Sequence, residues 1–265
     1  MKISLCMFGQ YRTFKLNLEN NLINLKDNIL KNNIIDIYIL TDKKESGNYS
    51  IKNEKIIIDL FNKYNCNIEK IYYWEDLSDY YNSDIRNKIQ YDNNIRHTKG
   101  ADKFTSNLWY RKYLLNKLKN EYCELNNKSY DCHMFIRLFD TQITLSKSND
   151  YIIKNLENYL NNNYLLFSGD LIHIGKKDTI DKMFEFGKEF GLVHDDIWYD
   201  LEFSNYVKIV DTQLFIEKPT YCSEIQTYYY IFKNMDKYLW IRTCDRFNTP
   251  SNENSFFYVK HCPHR

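Results

Sequence analysis

A chain of 265 residues is long enough to bury a sizeable core within one large domain, and its 36 basic and 35 acidic side chains nearly cancel to a net charge of +1. That balance argues against bulk phosphate binding along a nucleic acid, so any anionic ligand is expected to be small and held locally. The seven cysteines (Cys6, Cys66, Cys123, Cys132, Cys222, Cys244 and Cys262) show no CxxC spacing, which reads as reduced packing cysteine in an intracellular protein and not as a disulfide scaffold or zinc module.

Met1 to Gly9 holds an apolar run too short for a signal peptide, and no later stretch is apolar for long enough to span a bilayer. A soluble, cytoplasmic protein is expected. Ile3 to Phe8 reads as a first strand, followed by a turn at Gly9-Gln10-Tyr11-Arg12-Thr13. Leu18, Leu22, Leu25 and Ile29 recur at helical spacing between Asn17 and Leu30. A second strand covers Ile34 to Leu40 and ends at Thr41-Asp42; a helix from about Glu54 to Tyr64 and a third strand from Ile68 to Trp74 follow. This β-α-β-α-β order predicts an α/β fold, a mostly parallel sheet with helices on both faces. Glu75 to Thr105 is polar and reads as a lid or insertion.

Ser106 to Leu125 is a strong helix, with Ser106 in the N-cap position and Leu108, Leu114, Leu115 and Leu118 on its apolar side. It leads into the most informative stretch of the chain, Tyr130-Asp131-Cys132-His133-Met134-Phe135-Ile136-Arg137-Leu138-Phe139-Asp140. Here a short apolar strand, Cys132 to Leu138, delivers an arginine and then an aspartate to its far end. Buried strands of α/β proteins hold ligand-handling groups just beyond their carboxyl ends, where an acid can meet a metal ion or a sugar hydroxyl. Beyond it, helices are expected at Tyr151 to Leu160, Thr179 to Phe190 and Ser223 to Phe232, and strands at Tyr164 to Ser168, Leu171 to Ile174 and Tyr238 to Arg242. An aromatic stretch runs from Trp198 to Val210, and neither an internal repeat nor a domain linker is present.

A strand closing in Gly-Gln-Tyr-Arg-Thr, a second strand leading to Asp42, a helix holding Trp109-Tyr110-Arg111-Lys112, and a strand ending in Ile-Arg-Leu-Phe-Asp together resemble nucleotide-sugar glycosyltransferases of the GT-A class. The nearest relatives would be compact glycosyltransferase-like proteins of large DNA viruses and some bacteria. The resemblance runs from Lys2 to about Asn234 and implies a single GT-A-like, Rossmann-like domain over residues 1–265. Residues 1–130 would form its nucleotide-sugar half and 131–265 its metal and acceptor half. It implies a UDP- or GDP-sugar donor across the carboxyl ends of the first strands, a divalent ion (Mn2+ or Mg2+) bridging the two phosphates, and a glycan, lipid or protein acceptor. If the chain is viral, the cytoplasm is that of a host cell, with virion association as an alternative.

The donor side falls on Gly9, Gln10, Arg12, Thr13, Asp42 and Arg137; Gly9 lets a ligand approach backbone, and the arginines suit a diphosphate. Metal ligation falls on Asp140 and on the late histidine His261, although the usual Asp-any-Asp motif is incomplete here, with Leu138 where its first Asp would stand. The acceptor side falls on Asp170, in Phe167-Ser168-Gly169-Asp170-Leu171, and on Glu224, which opens a helix where the family has Pro-Glu and this chain has Cys222. Glu217 and His194-Asp195-Asp196 are weaker candidates.

Each residue has a plainer reading too. Arg137 and Asp140 make a salt-bridged pair at a strand end, Gly9 to Thr13 an ordinary strand-to-helix turn, Asp170 a β-turn residue, and Glu224 a first-turn acid favoured by the helix dipole. Trp74, Trp109, Trp198 and Trp240 permit stacking on a base or sugar but name neither. Two other functions share these features: a different nucleotide-using α/β transferase, and a catalytically inactive glycan-binding or virion-associated interaction protein. Without a Walker-type glycine loop or paired metal carboxylates, the sequence gives the first little support.

Overall fold

The computed structural model describes residues 1–9, 19, 21–23, 33–41, 53–64, 66–77, 105–137, 141–145, 149–168, 172–188, 197–210, 215–216, 223–240 and 257–261. In chain order the elements are β1 (Lys2–Phe8), β2 (Ile34–Thr41), α1 (Asn53–Lys63), β3 (Asn67–Tyr73), α2 (Thr105–Leu125), β4 (Cys132–Ile136), β5 (Thr141–Leu145), α3 (Asn149–Asn161), β6 (Leu165–Ser168), β7 (Ile172–Gly175), α4 (Lys177–Lys188), α5 (Leu201–Val210), α6 (Ser223–Asn234), β8 (Tyr238–Trp240) and β9 (Phe257–His261). Short 3-10 turns occupy Trp74–Asp76 and Ile197–Tyr199.

Seven strands form one sheet in the order β3-β2-β1-β4-β7-β6-β8, and β5 and β9 form a separate pair. Strands β1, β2, β3 and β4 are mutually parallel, β7 runs against β4 and β6, and β8 is parallel to β6. The fold is therefore α/β around a mostly parallel mixed sheet.

Alternation along β1 sorts the two faces. Ile3, Leu5 and Met7 join Ile37, Ile39, Met134 and Ile136 in an aliphatic core that takes in Phe61 of α1 and Leu156 and Leu160 of α3. Cys6 and Phe8 point the other way, into an aromatic core with Tyr38, Phe135 and Phe167, where Trp109, Phe184, Phe203 and Tyr228 arrive from α2, α4, α5 and α6. This is the period of two that a strand buried on both faces requires.

Helices α2 and α3 stop in the same way. Asn127 and Asn163 take positive φ of 51° and 59°, and the next amides turn back to the chain, Lys128 N–H to Cys123 O at 2.8 Å and Tyr164 N–H to Tyr159 O at 2.9 Å. Asparagine tolerates this left-handed stop, which turns the chain towards β4 and β6. Two expectations shift slightly: α2 begins at Thr105, putting Ser106 inside its first turn and not at the cap, and β4 ends at Ile136. Among the described residues no helix is long and apolar enough to cross a membrane, and Cys6, Cys66, Cys123 and Cys132 are free thiols.

Candidate functional site

The order of strands picks out one end of the sheet. After β1 the chain moves outward through β2 to β3; after β4 it moves to the other side, so the order reverses between neighbouring β1 and β4. Crevices for ligands open beyond the carboxyl ends of strands at such a reversal. Here those ends are Phe8-Gly9 and Ile136-Arg137, because Met7 is paired with Ile136.

Gly9 is buried at this point and has φ 129°, a conformation that a side chain would strain. It is held to β2 twice: its N–H donates to Leu40 O at 3.3 Å, and its own carbonyl accepts the Thr41 hydroxyl at 3.1 Å. Thr41 was not singled out in the sequence, since a threonine closing a β-branched strand looks like any other strand residue. Its hydroxyl fixes the exit of β1 relative to β2, and the next residues along the chain are Gln10 and Asp42.

Arg137, half-buried, follows β4 directly. Four residues later Thr141 starts β5, so the two Cα atoms lie within roughly 14 Å by chain length alone. Thr141 is opposite His261, the last residue of β9. The pairing thus brings His261 beside the residue that follows Asp140, a connection across the chain that the unstructured look of the C-terminal segment had concealed. The hairpin β6-β7 returns to the same end: Ser168 faces Ile172, and Ile172 faces Ile136. The segment holding Asp170 joins those two residues. Helix α6 leads through a short turn into β8, which is parallel to β6, so its amino-terminal turn, with Glu224, heads the carboxyl end of the sheet.

Gln10, Tyr11, Arg12, Thr13, Asp42, Asp140, Asp170, Glu217 and the His194 to Asp196 cluster lie outside the described residues, as do the side chains of Glu224 and His261. Among the described residues no group of three or more His, Cys, Asp and Glu could hold a metal ion. The carboxylate of Asp140 suits manganese or magnesium in kind, and the imidazole of His261 suits manganese.

No protein-family model matches this chain, and no curated protein matches it.

The helix that roofs the site on the aromatic side, α2, buries charge that its sequence spacing did not reveal. Trp109, Tyr110, Arg111, Lys112, Asn116 and Lys119 are all buried, along with Leu114, Leu115 and Leu118. At the carboxyl end of β3 the Arg111 guanidinium lies 4.4 Å from the centroid of Trp74, which also meets Tyr110 edge-on. Lys112 Nζ stands 3.9 Å from the centroid of Trp109 and 5.1 Å from that of Phe8. Two turns further along the helix, Lys119 Nζ reaches Asn116 Oδ1 at 2.9 Å and His133 Nδ1 at 2.8 Å, and Ser4 Oγ stands 2.7 Å from the same ring nitrogen.

Burial, reinforced by Lys119, pushes the His133 imidazole down to about 2, so it is neutral and its Nδ1 accepts. Burial likewise lowers the Lys119 ammonium and raises the Cys6 thiol to about 12. Asn116 continues the chain of contacts to Asp181 of α4, whose carboxylate accepts from Asn116 Nδ2 at 2.7 Å, Asn120 Nδ2 at 2.8 Å and Lys177 Nζ at 2.7 Å. Burial opposes the Asp181 charge, but these hydrogen bonds outweigh it and hold the carboxyl below its ordinary value. The network ties the amino-terminal parts of β1 and β4 to α2 and α4, away from the carboxyl ends of those strands.

Proposed function

We propose that this chain is a glycosyltransferase that moves a sugar from a nucleotide-diphosphate donor to a hydroxyl of a glycan, lipid or protein acceptor. The observation that carries the reading is convergence. Several segments that hold residues chosen from sequence motifs leave or rejoin strands β1, β2, β4, β6 and β7 at the end of the sheet where the strand order reverses, which supports the reading.

In this reading the donor lies against the exit of β1 that Gly9 shapes, and Arg12 and Arg137 meet its phosphates in charge-assisted contacts. Asp140 and His261 would hold a divalent ion, which supplies a counter-charge to the leaving nucleoside diphosphate. Asp170 and Glu224 belong to the acceptor. If the displacement inverts the anomeric carbon, one of them takes the acceptor's hydroxyl proton from the face opposite the leaving group.

The test is thermal stabilisation of the full chain by UDP-, GDP-, CMP- and dTDP-sugars, each with and without manganese, alongside Asp140→Ala. One nucleotide class is expected to raise Tm in a manganese-dependent way that the variant loses. Stabilisation without slow hydrolysis of the donor would favour the inactive glycan-binding reading, to which Leu138 in the metal motif already points. No stabilisation by any nucleotide sugar would overturn the transferase assignment.

A further inference from the structure

We propose that α5 is the contact face of a symmetric dimer, laid antiparallel against α5 of a second copy of this chain. Asp200 caps the helix: its carboxylate accepts Phe203 N–H at 3.1 Å and pairs with Lys233 Nζ of α6 at 2.5 Å. Phe203 and Val207 then bury the inner face in the aromatic core. The outer face is apolar at both ends, with Leu201 76% and Ile209 79% exposed. Tyr199, 86% exposed, continues it before the helix, and Ile216, 67% exposed, continues it after. Ile216 follows Phe215, whose ring centroid lies 5.6 Å from Lys208 Nζ, so it belongs to the carboxyl end of α5. Exposed Ile34, Ile58 and Leu125 stand singly on three other elements, which is ordinary for a soluble surface. Four such side chains gathered on one face are at the upper end of what a monomer leaves uncovered.

The order of residues on that face selects a second copy as the occupant. Exposed positions on α5 are 201, 202, 205, 208 and 209, which are symmetric about Asn205: apolar, charged, amide, charged, apolar. With 3.6 residues per turn they occupy an arc of about 120°. The two charges have opposite sign, Glu202 towards one end and Lys208 towards the other. A two-fold axis beside Asn205 therefore brings Leu201 level with the partner's Ile209, and Glu202 level with the partner's Lys208. A parallel pairing would instead set Glu202 against Glu202 and Lys208 against Lys208. Each charge also keeps its neighbours within the chain, Lys208 over Phe215 and Glu202 in the field of Lys233, and the contact across the two-fold adds to these. A specific interface needs roughly 800 Å² per partner, with an apolar centre and a polar rim. Leu201, Ile209, Tyr199 and Ile216 form such a centre, and the chain's net charge of +1 sets little repulsion between copies. Dimerisation through α5 does not depend on the proposed transferase activity.

Sedimentation velocity of the full chain over a dilution series tests this. The unmodified protein is expected to show a reversible equilibrium between 32.3 kDa and twice that mass. Ile209→Asp puts a carboxylate into the apolar centre and is expected to leave only the monomer. Glu202→Lys or Lys208→Glu alone sets like charges across the two-fold, twice per dimer, and each is expected to weaken association by about tenfold. The double variant Glu202→Lys, Lys208→Glu exchanges the signs and is expected to regain the dimer. That rescue separates pairing from helix stability, because the double variant still lacks the first-turn acid that favours α5. An unmodified chain that stays at 32.3 kDa throughout the series overturns the proposal, as does a dimer indifferent to Ile209→Asp or a double variant no stronger than the single ones. A monomer that binds phosphatidylcholine vesicles, and loses that binding in Ile209→Asp, would assign the face to a lipid surface and overturn the dimer.

Discussion

Gly9 joins backbone geometry to the site more directly than any other described residue. Its φ of 129° suits glycine alone, and its N–H and carbonyl are both committed to β2. Gly9→Ala is expected to lose about 1–3 kcal/mol of stability, the usual scale of a forced backbone conformation. It should also lose nucleotide binding, because the exit of β1 would rotate away from Thr41. Urea unfolding measures the first effect and thermal stabilisation by nucleotide sugars the second; a variant unchanged in both would show that the conformation at Gly9 is not required. The glycine was readable in the sequence as the residue that ends a strand. Its partner Thr41 was not, because nothing local distinguishes a strand-end threonine from its neighbours; Lys112 was legible as part of the Trp109 to Lys112 motif, but its burial was not.

Helices α2 and α4 pack closely at Gly187. A Cβ placed on Gly187 would stand 2.3 Å from Trp109 O and 2.8 Å from Tyr113 Cβ, both too close for the helices to keep their separation. Gly187→Ala gains helix propensity of about 1 kcal/mol, yet overpacking of this kind costs about 1–3 kcal/mol and moves backbone against backbone. A net loss of stability is therefore expected, read as a lower denaturant midpoint at constant slope. A midpoint equal to that of the unmodified chain would mean that the two helices can separate freely.

Elements with a strong local pattern were legible: the β-branched run at Ile34 to Leu40, the long helix ending at Leu125, and the apolar strand before Arg137. The pair β5-β9 was not. Thr141–Leu145 and Phe257–His261 are five residues each and lie more than a hundred positions apart, so each is strand only because the other is present.

At the scale of the whole molecule, acid should unfold the protein through a group buried far from the surface. The folded-state imidazole of His133 is held down to about 2, first by burial and then by Lys119, whereas an unfolded chain binds the proton near 6.5. Below that pH the unfolded state takes up a proton that the folded state refuses. Stability is full above about 6.5 and falls as pH drops towards 2, by up to about 1.4 kcal/mol per pH unit from this group. Asp181, with its carboxyl held below the ordinary range, adds loss in the same direction at the acid end. His133→Gln should flatten the slope of unfolding free energy between pH 4 and 6; an unaltered slope would mean that the protonated imidazole is accommodated in the fold.

Strand order and the reversed direction of β7 are likewise properties of the whole. Sequence periodicity identified a layered α/β protein, but which strands become neighbours is decided by packing between distant segments.

The two faces of the sheet are chemically unlike. Among the described residues Phe61 is the one aromatic with a buried side chain in the aliphatic core, while Trp109 is buried in the other core and Trp74 and Trp198 pack against it. Indole emission from these three of the four tryptophans therefore reports on that other side of the sheet. A denaturation curve followed by that light tracks release of α2 and its neighbours, and agreement with far-ultraviolet circular dichroism would mean that the silent aliphatic side lets go in the same step.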